Sequence, residues 1–192
     1  FGLHGANISS PNDTTFPTDD AGNFQVYFIK ESENAKGGKF RLDFSGSTNI
    51  SLTSPIIKNV YDNEKWNLAV RLHPSGTLDD YTSGSAEVTT YKLEFYGINT
   101  VSNVVQNEFS LSSTIDTETA RKVLNKSKRM YVGARRTNIT GSVLSRTDVY
   151  ASSARFWLDY LNNETIRYHS QDASSYGRLE PNKPTHFTVT SL

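Results

Sequence analysis

The 192-residue chain is long enough for one domain with a sizeable core. Only 35% of it is apolar, yet ten Phe, ten Tyr and two Trp supply large buried areas and set it apart from disordered sequences. Twenty basic and twenty acidic side chains cancel, so no overall field draws it to nucleic acid, and the lack of cysteine excludes disulfides, thiol catalysis and cysteine-ligated metals.

Residues 1–22 (FGLHGANISSPNDTTFPTDDAG) are rich in turn formers and follow neither the strand nor the helix period. They read as a linker or N-terminal arm ahead of a domain spanning 23–192. From Asn23 onward apolar residues alternate with mostly polar ones: Phe24, Val26 and Phe28, then Phe40, Leu42 and Phe44, then Trp66, Leu68, Val70 and Leu72. Tyr91, Leu93 and Phe95 continue the pattern, followed by Phe109 and Leu111, Met130 and Val132, Phe156 and Leu158, and Phe187 and Val189. Such alternation describes strands with one buried face, and eight or more are expected.

Turn clusters at Lys36-Gly37-Gly38, His73-Pro74-Ser75-Gly76 and Ser83-Gly84-Ser85 punctuate these runs, a rhythm of antiparallel hairpins instead of βαβ units. Asp116 to Leu124 and Asn163 to Gln171 look helical, the second with Asn162 or Asn163 as N-cap. The expected fold is therefore all-β, an antiparallel β-sandwich with one or two short peripheral helices. No run approaches the roughly twenty apolar residues of a membrane-spanning helix, so no membrane insertion is expected. The chain opens on Phe1 and closes on a β-like stretch. It reads as a segment of a longer polypeptide whose neighbouring domains would be partners.

Three stretches carry a family resemblance. Asn63-Glu64-Lys65-Trp66-Asn67-Leu68-Ala69-Val70-Arg71 sets a Trp after a turn and at the head of an alternating run. Arg129-Met130-Tyr131-Val132-Gly133-Ala134 is an apolar strand ending in Gly plus a small residue, with Thr140-Gly141 following as a turn. Ala154 to Ile166 (ARFWLDYLNNETI) is a closing strand plus a small capped helix. In this order and spacing they resemble laminin-G-like domains of the concanavalin-A-like lectin group. The resemblance implies a jelly-roll sandwich that binds glycans or other proteins on a secreted, cell-surface or virion protein. Some members bind calcium through an Asp-containing strand. Here the polar stretch between Leu144 and Ser153 stands in its place, so no motif supports calcium as a cofactor.

Sugar-cleaving enzymes on this scaffold need two carboxylates facing each other at about 5 to 9.5 Å. Glu87, Glu94, Asp116 and Glu118 are scattered, so catalysis is not expected. His4, His73, His169 and His186 lie in separate segments without metal-ligand spacing, and no Gly-x-Ser-x-Gly elbow occurs.

Between Arg121 and Arg136 the chain carries seven basic residues, Arg135 and Arg136 among them, and no acid. This stretch reads either as a patch for sulfated or uronic glycans or as a solvated edge whose lysines discourage strand pairing. Asp79, Asp80 and Tyr81 suit a calcium ion, a sugar hydroxyl or simply an acidic turn.

A sugar platform needs an aromatic face flanked by polar partners, and Tyr81, Trp157, Tyr168 and Tyr176 are the aromatics not assigned to the core. Trp157 runs out of phase with Phe156 and Leu158, sharing its strand face with Arg155 and Asp159. It is the leading candidate, against a reading in which it packs under a loop or on the next domain. The expected function is a non-catalytic glycan- or surface-binding module of a larger extracellular or virion protein. A structural or assembly domain without sugar binding is the alternative.

Overall fold

The computed structural model describes residues 1–6, 23–45, 50–75, 90–125, 127–136, 143–146, 150–172 and 174. In chain order the strands are β1 (Gly2–Ala6), β2 (Asn23–Lys30), β3 (Gly38–Ser45), β4 (Ile50–Thr53), β5 (Trp66–Pro74), β6 (Thr90–Val101) and β7 (Val104–Asp116). Helix α1 (Thr117–Asn125) follows, then β8 (Ser127–Tyr131), β9 (Ala134–Arg136), β10 (Val143–Arg146) and helix α2 (Asn163–Gln171). Every strand pairing is antiparallel. The strands make a five-stranded sheet in the order β4-β3-β2-β1-β8, a three-stranded sheet β5-β6-β7 and a two-stranded ribbon β10-β9. The chain is mostly antiparallel β-sheet with two short helices, as its alternation predicts.

The period of two decides which residues of the larger sheets are buried together. Val26, Phe40, Leu42 and Phe44 from the five-stranded sheet share one buried cluster with Leu93, Phe95, Phe109 and Ile115 from the three-stranded sheet. Phe40 is the junction, its ring 4.9 Å from that of Trp66 and 5.8 Å from that of Phe109. Tilted and offset contacts of this kind add about 0.5–1.5 kcal/mol each beyond area burial. Helix α1 closes one end with Ala120 and Val123. Its first turn is held by Asp116, whose carboxylate accepts the Thr119 amide at 2.7 Å and the Thr119 hydroxyl at 2.7 Å.

Several expectations are corrected. Residues 2–6, assigned to a linker or arm, form β1 inside the five-stranded sheet, paired with β2 and β8. Leu3 is buried there. A strand flanked on both sides draws its order from the ladder, and two apolar residues among glycines leave too little alternation to read.

Met130 and Val132 are 43% and 45% exposed, because β8 lies at an edge and Val132 falls beyond it. The closing strand through Phe156 and Leu158 does not form. Residues 150–162 carry no strand, and the two side chains are 60% and 96% exposed. Alternation over so few residues does not make a strand unless a neighbour offers free backbone groups. The short strands β4, β9 and β10 were not among the expected ones, although Ile50 and Leu52 of β4 do alternate with polar residues. Phe187, Val189 and the Ser83-Gly84-Ser85 turn lie outside the described residues.

Gly97 on β6 faces the core, where an added Cβ would fall 2.3 Å from Phe109 Cε1 and 3.0 Å from Leu68 Cδ2. Gly97→Ala must displace the Phe109 ring from its contacts with Phe40 and Phe95. Overpacking of this kind costs about 1–3 kcal/mol. We expect urea unfolding of this variant to show a lower midpoint with an unchanged slope.

Candidate functional site

The outer face of the three-stranded sheet, turned away from the shared core, follows from strand register. Residues paired directly across antiparallel strands point to the same side. The pairings set out rows of His73, Lys92 and Thr114, then Arg71, Glu94 and Ser112, then Ala69, Tyr96 and Ser110, then Asn67, Ile98 and Glu108.

The β6 residues of the last two rows are covered. Tyr96 and Ile98 are buried against Leu161 and Ile166, with Ala69 and Val105 alongside. Helix α2 reaches this position through its cap: Asn162 Oδ1 accepts the Thr165 amide at 2.8 Å. The helix is the one expected from the sequence, and of the two cap candidates, Asn162 and Asn163, the structure uses Asn162. Tyr96 donates to Glu108 at 2.7 Å, and Arg167 pairs with the same carboxylate at 2.9 Å, tying α2 to β6 and β7. At the far end of the helix, Thr100 donates to Ser170 Oγ at 2.9 Å.

The first two rows form a charged cluster. Arg71 and Glu94 are nearly fully buried and lie 3.0 Å apart, Nη2 to Oε2. Lys92 Nζ stands 2.9 Å from Glu94 Oε1, and Tyr160 donates its hydroxyl to Glu94 Oε2 at 3.2 Å. The second Arg71 nitrogen, Nη1, donates to the Leu161 carbonyl at 2.9 Å. The guanidinium also sits between two rings, 5.3 Å from the Tyr96 centroid and 5.2 Å from that of Tyr160. His73 packs its imidazole 4.5 Å from the Tyr160 ring, with Nε2 3.7 Å from Glu94 Oε2 and Nδ1 2.8 Å from the Pro74 carbonyl.

Burial opposes ionisation of Glu94. The Lys92 hydrogen bond and the charges of Arg71, Lys92 and His73 outweigh it and hold the carboxyl below its usual range. For Tyr160, burial and then the Glu94 carboxylate push the hydroxyl up against the opposing Arg71 charge. Glu94 is thus a fixed carboxylate and Tyr160 a fixed donor.

Above this cluster lies the segment 150–162, where the sequence placed its leading candidates. Trp157 stacks on His169 of α2, with ring centroids 5.7 Å apart and planes at 25°, and keeps 37% of its surface exposed. Asp159 is exposed and its Oδ1 accepts the Tyr160 amide at 2.7 Å, so it shapes the turn that delivers Tyr160 to Glu94. Arg155 is half-buried. These residues share an irregular segment, not a strand face as expected. Tyr168, on the first half of α2's last turns, is exposed.

The remaining candidates lie elsewhere. Arg135 and Arg136 enter the described structure by their backbones alone, on β9 in register with Ser145 and Val143 of β10. Asp79, Asp80, Tyr81 and Tyr176 lie outside the described residues. Among the described residues, no three His, Asp or Glu side chains converge as a metal site would require, and no helix is long and apolar enough to cross a membrane.

A second polar cluster, on the outer face of the five-stranded sheet, is satisfied internally. Asp43 accepts from Tyr27, from Arg41 Nε at 2.7 Å and from Ser51 at 2.8 Å. Burial resists its ionisation, but those hydrogen bonds prevail and lower its pKa.

The sequence does not single out Arg71, Lys92 or Tyr160 as site residues, and offers His73 only as a histidine without ligand spacing. Arg71 and His73 flank Leu72, and Lys92 and Glu94 flank Leu93, so each pair sits on the polar face of its strand. That face was assigned to solvent. Only the β5–β6 register brings the two pairs together.

Comparison of the chain with protein-family models, curated proteins and solved structures returns no significant match.

Glu94→Gln leaves the buried Arg71 cation without its anion, a change expected to cost about 3–5 kcal/mol near neutral pH. The folded-state pKa of Glu94 is depressed, so the wild-type advantage is complete above the unfolded value near 4.5 and is lost as pH falls through the lower folded value. Denaturant midpoints of the two proteins should differ at pH 7 and converge on acidification below about pH 4.5. A gap that stays constant down to pH 2 would contradict the assignment.

Proposed function

We propose that this chain is a non-catalytic module that recognises glycans or a surface polymer, carried by a larger extracellular or virion protein, on a sandwich of the concanavalin-A-like, laminin-G type. The observation that carries this reading is the set of part-exposed aromatics between residues 157 and 168. Trp157 is braced on His169 with one side open, and Tyr160 and Tyr168 are 38% and 46% exposed. Aromatic faces take the C–H faces of sugars, while hydroxyl groups need directed polar partners, which Asp159 and Lys92 offer nearby in the chain and on the sheet. Loops braced by a rigid scaffold commonly carry binding residues, and segment 150–162 is tied to its scaffold through Tyr160 and Leu161.

Two further features support it. The larger sheets bury one aromatic core jointly, and a capped helix follows Leu161 where the laminin-G resemblance puts one. Glu94 and Glu108 stand four residues apart in register, about 13 Å along the strand, wider than the 5–9.5 Å of a glycosidase pair. Each is also held by a cation.

A second reading, an assembly domain without sugar binding, is favoured by a different observation. Tyr150, Phe156 and Leu158 are large, apolar and exposed within nine residues, as at contacts with a neighbouring domain.

Trp66 is packed in the core, so quenching of tryptophan fluorescence by a ligand reports Trp157. A glycan array should yield hits that quench this emission. Trp157→Ala should weaken them at least about tenfold, or ~1.4 kcal/mol, with the melting temperature held within a few degrees. Leu158→Asp should leave sugar binding intact. An array without hits, together with loss of assembly in Leu158→Asp, would establish the second reading in place of the first.

A further inference from the structure

We infer that the free edge of β7 is a dimer interface, on which a second copy of this chain pairs its own β7 antiparallel about a twofold axis at Ser110. The inference goes beyond the glycan-binding reading and holds whether or not a sugar is bound.

The free edge carries the argument. β7 is a thirteen-residue strand at the end of its sheet, and among the described residues its backbone pairs with β6 alone. Every second residue of such a strand turns its N–H and C=O away from the neighbour it has, a template for another strand. Helix α2 and Leu161 cover the β6 part of the outer face and leave Ser110, Ser112 and Thr114 of β7 exposed.

The edges of the other described strands in the two larger sheets are guarded. β4 has four residues and is followed closely by Pro55. β5 ends on Pro74 and carries the buried charge of Arg71. β8 has five residues, Lys128 and Arg129 among them. Short length, proline and charge are the devices that keep an edge from pairing. From Phe109 to Ile115, β7 has none of them: the run FSLSSTI holds no charge, proline or glycine.

The side chains of β7 make a second copy the partner. Centred on Ser110, antiparallel pairing sets Phe109 opposite the partner's Leu111, Glu108 opposite the partner's Ser112 and Asn107 opposite the partner's Ser113. Apolar meets apolar on the core face, where Leu111 is only partly buried against the shared core and gains cover. On the outer face an acid meets a hydroxyl, and the two serines on the axis are small and neutral. Centring on Ser112 instead would set Glu108 against the partner's Asp116, so charge selects the register. The register shift near Asn99 and Thr100 ends the regular ladder at Asn107. A strand that is its own complement forms a closed twofold pair with both edges consumed.

The test uses the full chain. In sedimentation equilibrium from about 1 to 200 μM, a range suited to a small interface, the mass should rise toward twice that of one chain. Ser110→Lys and Ser110→Glu should each stay monomeric, because like charges then meet at the axis, and an equimolar mixture of the two should recover the dimer. That recovery shows that neither variant is monomeric through misfolding. The chain has no cysteine, so Ser110→Cys should cross-link to a dimer under mild oxidation. Thr114→Cys should not, because its two copies would lie about 27 Å apart along the strands.

A monomer at every concentration would overturn the proposal, as would equal cross-linking of both cysteine variants. Dimers that persist in both Ser110 charge variants would overturn it by placing the interface elsewhere. Growth past two chains would overturn it in favour of β7 pairing with β5 of the next copy.

Discussion

Strand β6 is covered on both faces, and from Leu93 to Asn99 every residue is buried. One face enters the aromatic core shared by the two larger sheets, and the other lies under α2 and Leu161. A strand in that position has nowhere to send a polar side chain into water, so each one must find a partner inside the protein. Glu94 finds Arg71, Lys92 and Tyr160, Tyr96 finds Glu108, and Asn99 donates to the Lys65 carbonyl. The arrangement of the outer face is the set of solutions to that requirement.

The segment 150–162 is ordered by the same need. It carries no ladder of its own, and Tyr150, Phe156 and Leu158 stand exposed in it. Its end is held by a pair of contacts, the Tyr160 hydroxyl on Glu94 and the Leu161 carbonyl on Arg71, followed at once by the Asn162 cap that starts α2. Backbone capping, a charge-assisted hydrogen bond and apolar burial thus fall within three consecutive residues. Further back in the segment, Trp157 is stacked on His169 of α2 and keeps part of its ring exposed.

The charge cluster and the end of segment 150–162 therefore belong to one construction. The buried pair fixes Tyr160, and Tyr160 fixes the end of the segment. The Asp43 cluster on the opposite sheet lacks this coupling. Its hydrogen bonds stay within β2, β3 and β4, partly exposed, where ion pairs contribute about 0–1 kcal/mol.

Much of the scaffold was legible from residue order. The alternation of Phe24, Val26 and Phe28, of Phe40, Leu42 and Phe44, and of Trp66 through Leu72 named three strands and their buried faces, because a period of two follows from backbone geometry alone. Both helices were legible from composition, the second also from a cap at Asn162 or Asn163.

The Phe156–Leu158 run shows where that logic ends, since alternation tells which face a strand would bury but not whether a partner strand is present. Strand β1 is the converse case, a weak pattern ordered by two neighbours. Trp157 was legible as an aromatic left over from the core. The Arg71–Glu94–Lys92–Tyr160 cluster was not. Its members span residues 71 to 160, and their meeting depends on one strand register and one loop path, both of which only the tertiary structure decides.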